Sequence, residues 1–143
     1  MVIVDTDYDS WVVNTSDSER FRRIRDAWDE HFVHGDLPRK MIPHLRDAGF
    51  ETVNQEVIPM FNTEYHSNTY SYGIVELIAH FAAGRGEVTA EEAQAWKTEM
   101  ETLGKQGGYF FSLNRYQFTV RKPGSILIPI SQQGKRVHKT GKT

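Results

Sequence analysis

The chain has 143 residues, of which 38% are hydrophobic and 25% charged, the balance of an ordinary folded domain that can bury about 68–70% of its unfolded surface. It has no cysteine, which excludes a disulfide framework, a thiolate metal site and a cysteine nucleophile, and fits a cytoplasmic protein. The net charge of −2 conceals an uneven distribution: residues 124–143 carry Lys135, Arg136, Lys139 and Lys142 and no acid, leaving the body acidic.

No apolar run approaches the ~20 residues a membrane helix needs, and the apolar N-terminus is too short for a signal peptide. The basic tail has no aromatic residue among its charges, so it is read as a flexible, solvated end; nucleic acid is not an expected partner.

In chain order, Val2 to Asp5 is a short continuous apolar run, which reads as a strand buried on both faces, followed by a loop to Asn14. Ser16 and Glu19 have capping-box spacing. Phe21, Ile24, Trp28 and Phe32 then recur at helical intervals up to Gly35. Pro38 opens a shorter helix with Met41, Ile42 and Leu45, closed by Gly49; Pro43 must lie in its first turn or kink it. Phe50 to Ile58 is a second strand stopped by Pro59. After a polar loop, Tyr72 to Ala83 is a strongly apolar helix. A second capping box, Thr89 with Glu92, starts a helix striped by Ala93, Trp96, Met100 and Leu103, with Gly104 as its end. Tyr109 to Arg121 is the longest strand.

The phase of that last strand changes along its length. Tyr109, Phe111 and Leu113 share one face, while Tyr116, Phe118 and Val120 share the other. Either a bulge lies near Asn114 and Arg115 or both faces are covered; both options place the strand inside a sheet. Ile126 to Ile130 is a further apolar stretch. The alternation of strands and helices specifies an α/β layer fold. With only three main strands, the first exposes an unprotected edge through which the chain could pair with a copy of itself or with another polypeptide.

Three segments carry a family likeness. Val2-Ile3-Val4-Asp5-Thr6-Asp7 resembles the fifth strand of class I S-adenosylmethionine-dependent methyltransferases. Leu45-Arg46-Asp47-Ala48-Gly49-Phe50 resembles the family's L-x-x-A-G-F helix end, and Tyr109-Phe110-Phe111-Ser112-Leu113-Asn114-Arg115-Tyr116 its last strand. The closest likeness is to the type 11, ubiquinone/menaquinone-biosynthesis-like branch. The resemblance implies the C-terminal part of a Rossmann-like sheet over residues 1–123, with the last strand antiparallel and central. It implies a transferase that moves a methyl group from S-adenosylmethionine to a small-molecule acceptor.

The family's Gly-rich turn after its first strand and acid after its second, which hold the cofactor, have no counterpart here. Gly84-Arg85-Gly86 follows a helix, and the Pro-Gly-Gly turn that usually precedes the fifth strand is also missing. The chain is therefore expected to be a fragment that binds no S-adenosylmethionine alone, is not catalytically competent alone, and supplies the acceptor side of the reaction. The missing N-terminal half would join at the open first strand.

Candidate acceptor-lining residues follow from position and chemistry. Asp5, Asp7, Tyr8 and Trp11 follow the first strand, at the sheet end where α/β folds bind ligands. Asp5-x-Asp7 also has the form of a glycosyltransferase cation motif, which leaves a glycosyltransferase fragment as an alternative beside a non-catalytic dimerisation module. Its spacing does not complete a calcium loop, since Ser10 and Ser16 stand where glycine and glutamate are needed. Tyr65 and His66 lie in the polar loop after the second strand, where an imidazole could serve as a base or the loop as a lid. Asn114 and Arg115 are polar within an aromatic strand and could contact substrate or bond backbone. His31 and His34 suit a helix C-terminus better than a metal site, because no third ligand has a defined spacing. No metal is expected.

Overall fold

The computed structural model describes residues 1–124. Its elements run β1 (Val2–Val13), α1 (Ser18–Asp29), α2 (Leu37–Asp47), β2 (Glu51–Asn62), α3 (Tyr70–Ala82), α4 (Ala90–Gln106) and β3 (Phe111–Arg121). The fold is α/β. The three strands form one sheet in the order β1-β3-β2, and β3 runs antiparallel to both neighbours. The last strand is central, as the phase of its apolar residues requires. Ile126–Ile130 and the basic tail lie outside the described residues.

Both faces of β3 are covered, at opposite ends. Phe111 and Leu113 enter the main core with Ile24 and Trp28 of α1, Val75 and Ile78 of α3, and Trp96 and Met100 of α4. Phe118 and Val120 point the other way, onto Met41 and Leu45 of α2. Side chains alternate across a strand, so the odd-numbered residues of β3 face the three-helix layer and the even-numbered ones face α2.

Of the two readings of the phase change, cover on both faces is the one observed; β3 itself runs on without a bulge, and the irregularities fall on its partner strands. Between Asp7 and Val12, β1 inserts extra residues opposite Asn114 and Ser112, and β2 carries one extra residue at Val53. The Ser10 hydroxyl stitches the β1 bulge in place, donating to the Asp7 carbonyl at 2.6 Å and accepting from the Asn114 backbone N–H at 2.9 Å. Residues 5–13, expected as a loop, are thus strand.

Other boundaries moved for identifiable reasons. Ser16 does not cap α1. Asp17 does, accepting from the Arg20 N–H at 2.9 Å, because Ser16 is drawn away to Glu99. The Thr89–Glu92 capping box forms as its spacing requires. Pro59 does not end β2; an edge strand has one side without a ladder, so the missing N–H is tolerated there. Pro43 lies inside α2. Helix α4 passes through Gly104 and ends at Gly107, whose φ of 72° closes it. Gly104 serves packing, since a Cβ there would stand 2.7 Å from the Tyr65 Cβ.

Helices α1 and α2 pack on opposite faces of the sheet, so the segment joining them rounds the outer edge of β1. It docks there through the Tyr8 N–H, which donates to the Gly35 carbonyl at 3.2 Å. Below that point the edge is open. Met1 and Val120 exchange both backbone bonds, and antiparallel alternation therefore turns the backbone groups of Val2, Val4 and Thr6 outward. The Val2 and Val4 side chains are exposed. The β2 edge differs: it carries Glu51, Glu56, Pro59 and its bulge, devices that discourage pairing.

Candidate functional site

The eight residues singled out from the sequence separate into three places. Asp7 and Asn114 are paired in register, as are Asp5 and Tyr116, which puts Asp5, Asp7 and Asn114 on the α2 face. Tyr8, Trp11 and Arg115 belong to the three-helix face. Tyr65 and His66 sit in the loop before α3.

Asp7 is a structural anchor. Its side chain is 5% exposed, and it accepts from Arg39 Nε and Nη2, both at 2.9 Å, a bidentate pair that fixes α2 to β1. Arg39 also reaches Asp9 at 3.2 Å, and the Asp7 carboxylate raises the Arg39 pKa above its ordinary value. Asp5 is committed locally, accepting from the Thr6 N–H at 2.8 Å. Asp5-x-Asp7 thus does not offer two free carboxylates to a cation. Among the described residues no group of three His, Asp or Glu side chains is placed to hold a metal.

Trp11 does not line a pocket. The residues inserted into β1 turn it onto the helix layer, where it is 2% exposed and stands edge-on to Phe21 and Trp96. Tyr65 also points inward, against Tyr72 and Tyr109. Burial is the foremost cause that raises the pKa of the Tyr65 phenol, and it pushes that of Tyr109 up to about 12. Both stay protonated and cannot act as bases near neutral pH. His66 lies in the same loop but is half exposed. Its Nε2 is 3.2 Å from Glu64 and its Nδ1 accepts from the Asn68 N–H, so it orders the loop locally. His31 stacks on Trp28 and meets Phe81 edge-on, a packing role.

What remains is a polar cluster at the centre of the three-helix face. Arg115 is flanked in register by Thr6 and Ile58. Its guanidinium lies 5.1 Å from the ring centroid of Tyr70, the first residue of α3. Tyr8, two residues beyond Thr6, stacks on Phe32 with centroids 3.9 Å apart. Burial first, and the neighbouring Tyr70 phenol second, raise the Tyr8 pKa. Tyr70 was not singled out from the sequence, because a tyrosine at a helix start carries no periodic signal.

Glu99 was missed as well. It lies in a groove of about 480 Å³ between the β1–α1 turn and α4, lined also by Asn14, Thr15, Ser16 and Arg20. Its carboxylate accepts from the Ser16 N–H at 2.6 Å, the Ser16 hydroxyl at 2.8 Å, the Thr15 hydroxyl at 3.0 Å and Arg20 Nη2 at 2.6 Å. With its acid and base already paired, this groove is a clamp on the turn. A second groove of about 320 Å³, lined by Tyr65, Tyr72, Glu101, Gly104 and Lys105, includes one of the sequence candidates.

The two strand-to-helix turns, residues 14–17 and 63–69, contain no glycine, and Glu99 occupies the Ser16 N–H of the first. Neither has the glycine-opened backbone that lets a dinucleotide-like cofactor approach closely. No family model, no curated protein and no solved structure matches the chain. No helix among the described residues is long and apolar enough to cross a membrane.

Proposed function

We propose that the chain is the acceptor-side part of a class I methyltransferase-like domain, whose S-adenosylmethionine-binding half pairs along the open edge of β1. One observation supports this: β3 lies between β1 and β2 and opposes both, the arrangement that the resemblance of residues 1–123 requires. The exposed Val2 and Val4 and the outward backbone groups of the β1 edge suit addition of a further strand.

In this role the chain contributes position. Methyl transfer depends largely on holding acceptor and donor in line, and the surface available for the acceptor is the three-helix face around Tyr8, Tyr70 and Arg115. None of these is assigned as a base.

The test is calorimetric. The chain alone should give no heat with S-adenosylmethionine, whereas its complex with the polypeptide encoded directly upstream, co-expressed and co-purified, should bind it. Binding by the chain alone, or no association with that polypeptide, overturns the proposal.

A second reading is favoured by the self-complementarity of the same edge. An antiparallel copy centred on Val4 would set Val4 against Val4 and Val2 against Thr6, a closed two-fold pairing. In that case the chain is a non-catalytic dimerisation module.

A further inference from the structure

Arg115 is a half-buried cation near the middle of a central strand, and a charge drawn out of water is generally paired. Among the described residues no carboxylate lies within ion-pair distance of it, and it makes no side-chain hydrogen bond to another described residue. The Arg residues elsewhere in the sheet and on α2 behave differently: Arg121 is paired with Glu51 at 3.1 Å and Arg39 with Asp7 at 2.9 Å. The nearest acid in register on the same face, Glu56, stands opposite Gln117 and accepts from Asn54 at 2.7 Å.

The surroundings add to the positive potential. Tyr70 opens α3, and the Thr69 hydroxyl ahead of it donates to the His66 carbonyl at 2.8 Å without capping the helix. A helix N-terminus favours negative charge, so a guanidinium stacked on its first residue is an unbalanced arrangement. Tyr8 keeps its phenolic proton, since burial disfavours the phenolate, and so remains a donor. The half of this face beyond Arg115 is uncovered by any described helix and is bordered by exposed Val4.

We infer that Arg115, Tyr8 and Tyr70 form a binding site for the carboxylate of a small organic acid, so that the acceptor in the proposed function is a carboxylate-bearing molecule. The inference rests on that function for the word acceptor, but the binding itself does not. A single guanidinium, with Glu56 two residues from Ile58 along β2, matches one negative charge better than two. The guanidinium presents paired N–H donors to the two carboxylate oxygens. Tyr8 can supply a third donor, and the uncovered half of the face leaves room for an apolar body against Val4.

The experiment is a titration of the whole chain with benzoate, with acetate and inorganic phosphate as comparisons, followed by amide and Arg Nε–Hε resonances. Benzoate should give saturable shifts at Thr6, Tyr8, Arg115 and Gln117, more tightly than acetate, and R115Q should abolish them. Tyr8→Phe keeps the ring on Phe32 and removes one donor to an anion, so it should weaken binding about tenfold; it stands as the readout if R115Q does not fold. Shifts that do not saturate, that persist in R115Q, or that are stronger with phosphate than with benzoate overturn the inference. The titration needs neither S-adenosylmethionine nor a second polypeptide, so its failure leaves the calorimetric test of the domain standing, and the reverse holds too.

Discussion

Glu99 has a side chain 13% exposed and accepts three hydrogen bonds from the β1–α1 turn and a fourth from Arg20 of α1. Burial taken alone would raise its pKa; the bonds from Ser16, Thr15 and Arg20 outweigh burial and lower it below its ordinary 4.5. A carboxylate with a depressed folded-state pKa stabilises fully above its unfolded value and loses that contribution as pH falls through the folded value. Glu99→Gln should therefore cost about 1–3 kcal/mol at pH 7, and the gap to the parent should close as acidification carries the pH from the ordinary 4.5 down through the lowered folded-state value. Urea denaturation at several pH values measures it; a gap independent of pH would show that Glu99 acts by shape alone. Nothing in the sequence marks this residue, because its partners lie about 80 positions away and their only local signal, Ser16 with Glu19, points to a cap that does not form.

At the scale of elements, α2 is the least secured helix. It rests on a small cluster of Met41, Leu45, Phe118 and Val120, and Pro43 in its interior removes one backbone bond, whereas α3 and α4 share the larger core with α1. Hydrogen exchange should find α2 amides opening more readily than those of α3 and α4, since local stability follows buried apolar contact; equal protection would place α2 in the main cooperative unit. Helices α3 and α4 were legible from their apolar stripes and from the Thr89–Glu92 box, and β3 from its two-phase aromatic pattern. The second half of β1 was not. Its extra residues break the two-residue period on which a strand is recognised, so Asp5–Asn14 reads as a loop although residues 5–13 are strand, paired with β3 on either side of the bulge. The same break sent Asp7 and Trp11 to opposite faces, and the candidate site scattered with them.

For the molecule as a whole, the asymmetry between its two sheet edges sets how it associates. Val4→Lys places a charge at the centre of the open edge without touching either core, a substitution that edge strands tolerate and that blocks pairing. If copies associate through β1, sedimentation should show a dimer for the parent chain and a monomer for V4K. A parent that stays monomeric at all concentrations removes the two-fold reading and leaves the edge to a different polypeptide. This edge was inferable from the strand count, but its length was not, because the segment through Gly35 that closes its upper end is recognisable only once α1 and α2 are seen on opposite faces.

The additional residues in β1 also govern which deletions the chain could survive. Asp7 faces α2 and Val13 faces the other layer although both are odd-numbered, so the insertion shifts register by an odd count. Excising two residues between them would shorten the excursion yet keep each flank on its own side. Excising one would send the indole of Trp11 outward and expel either it or the Asp7 carboxylate from its niche. Length variants in this stretch should therefore be viable in steps of two.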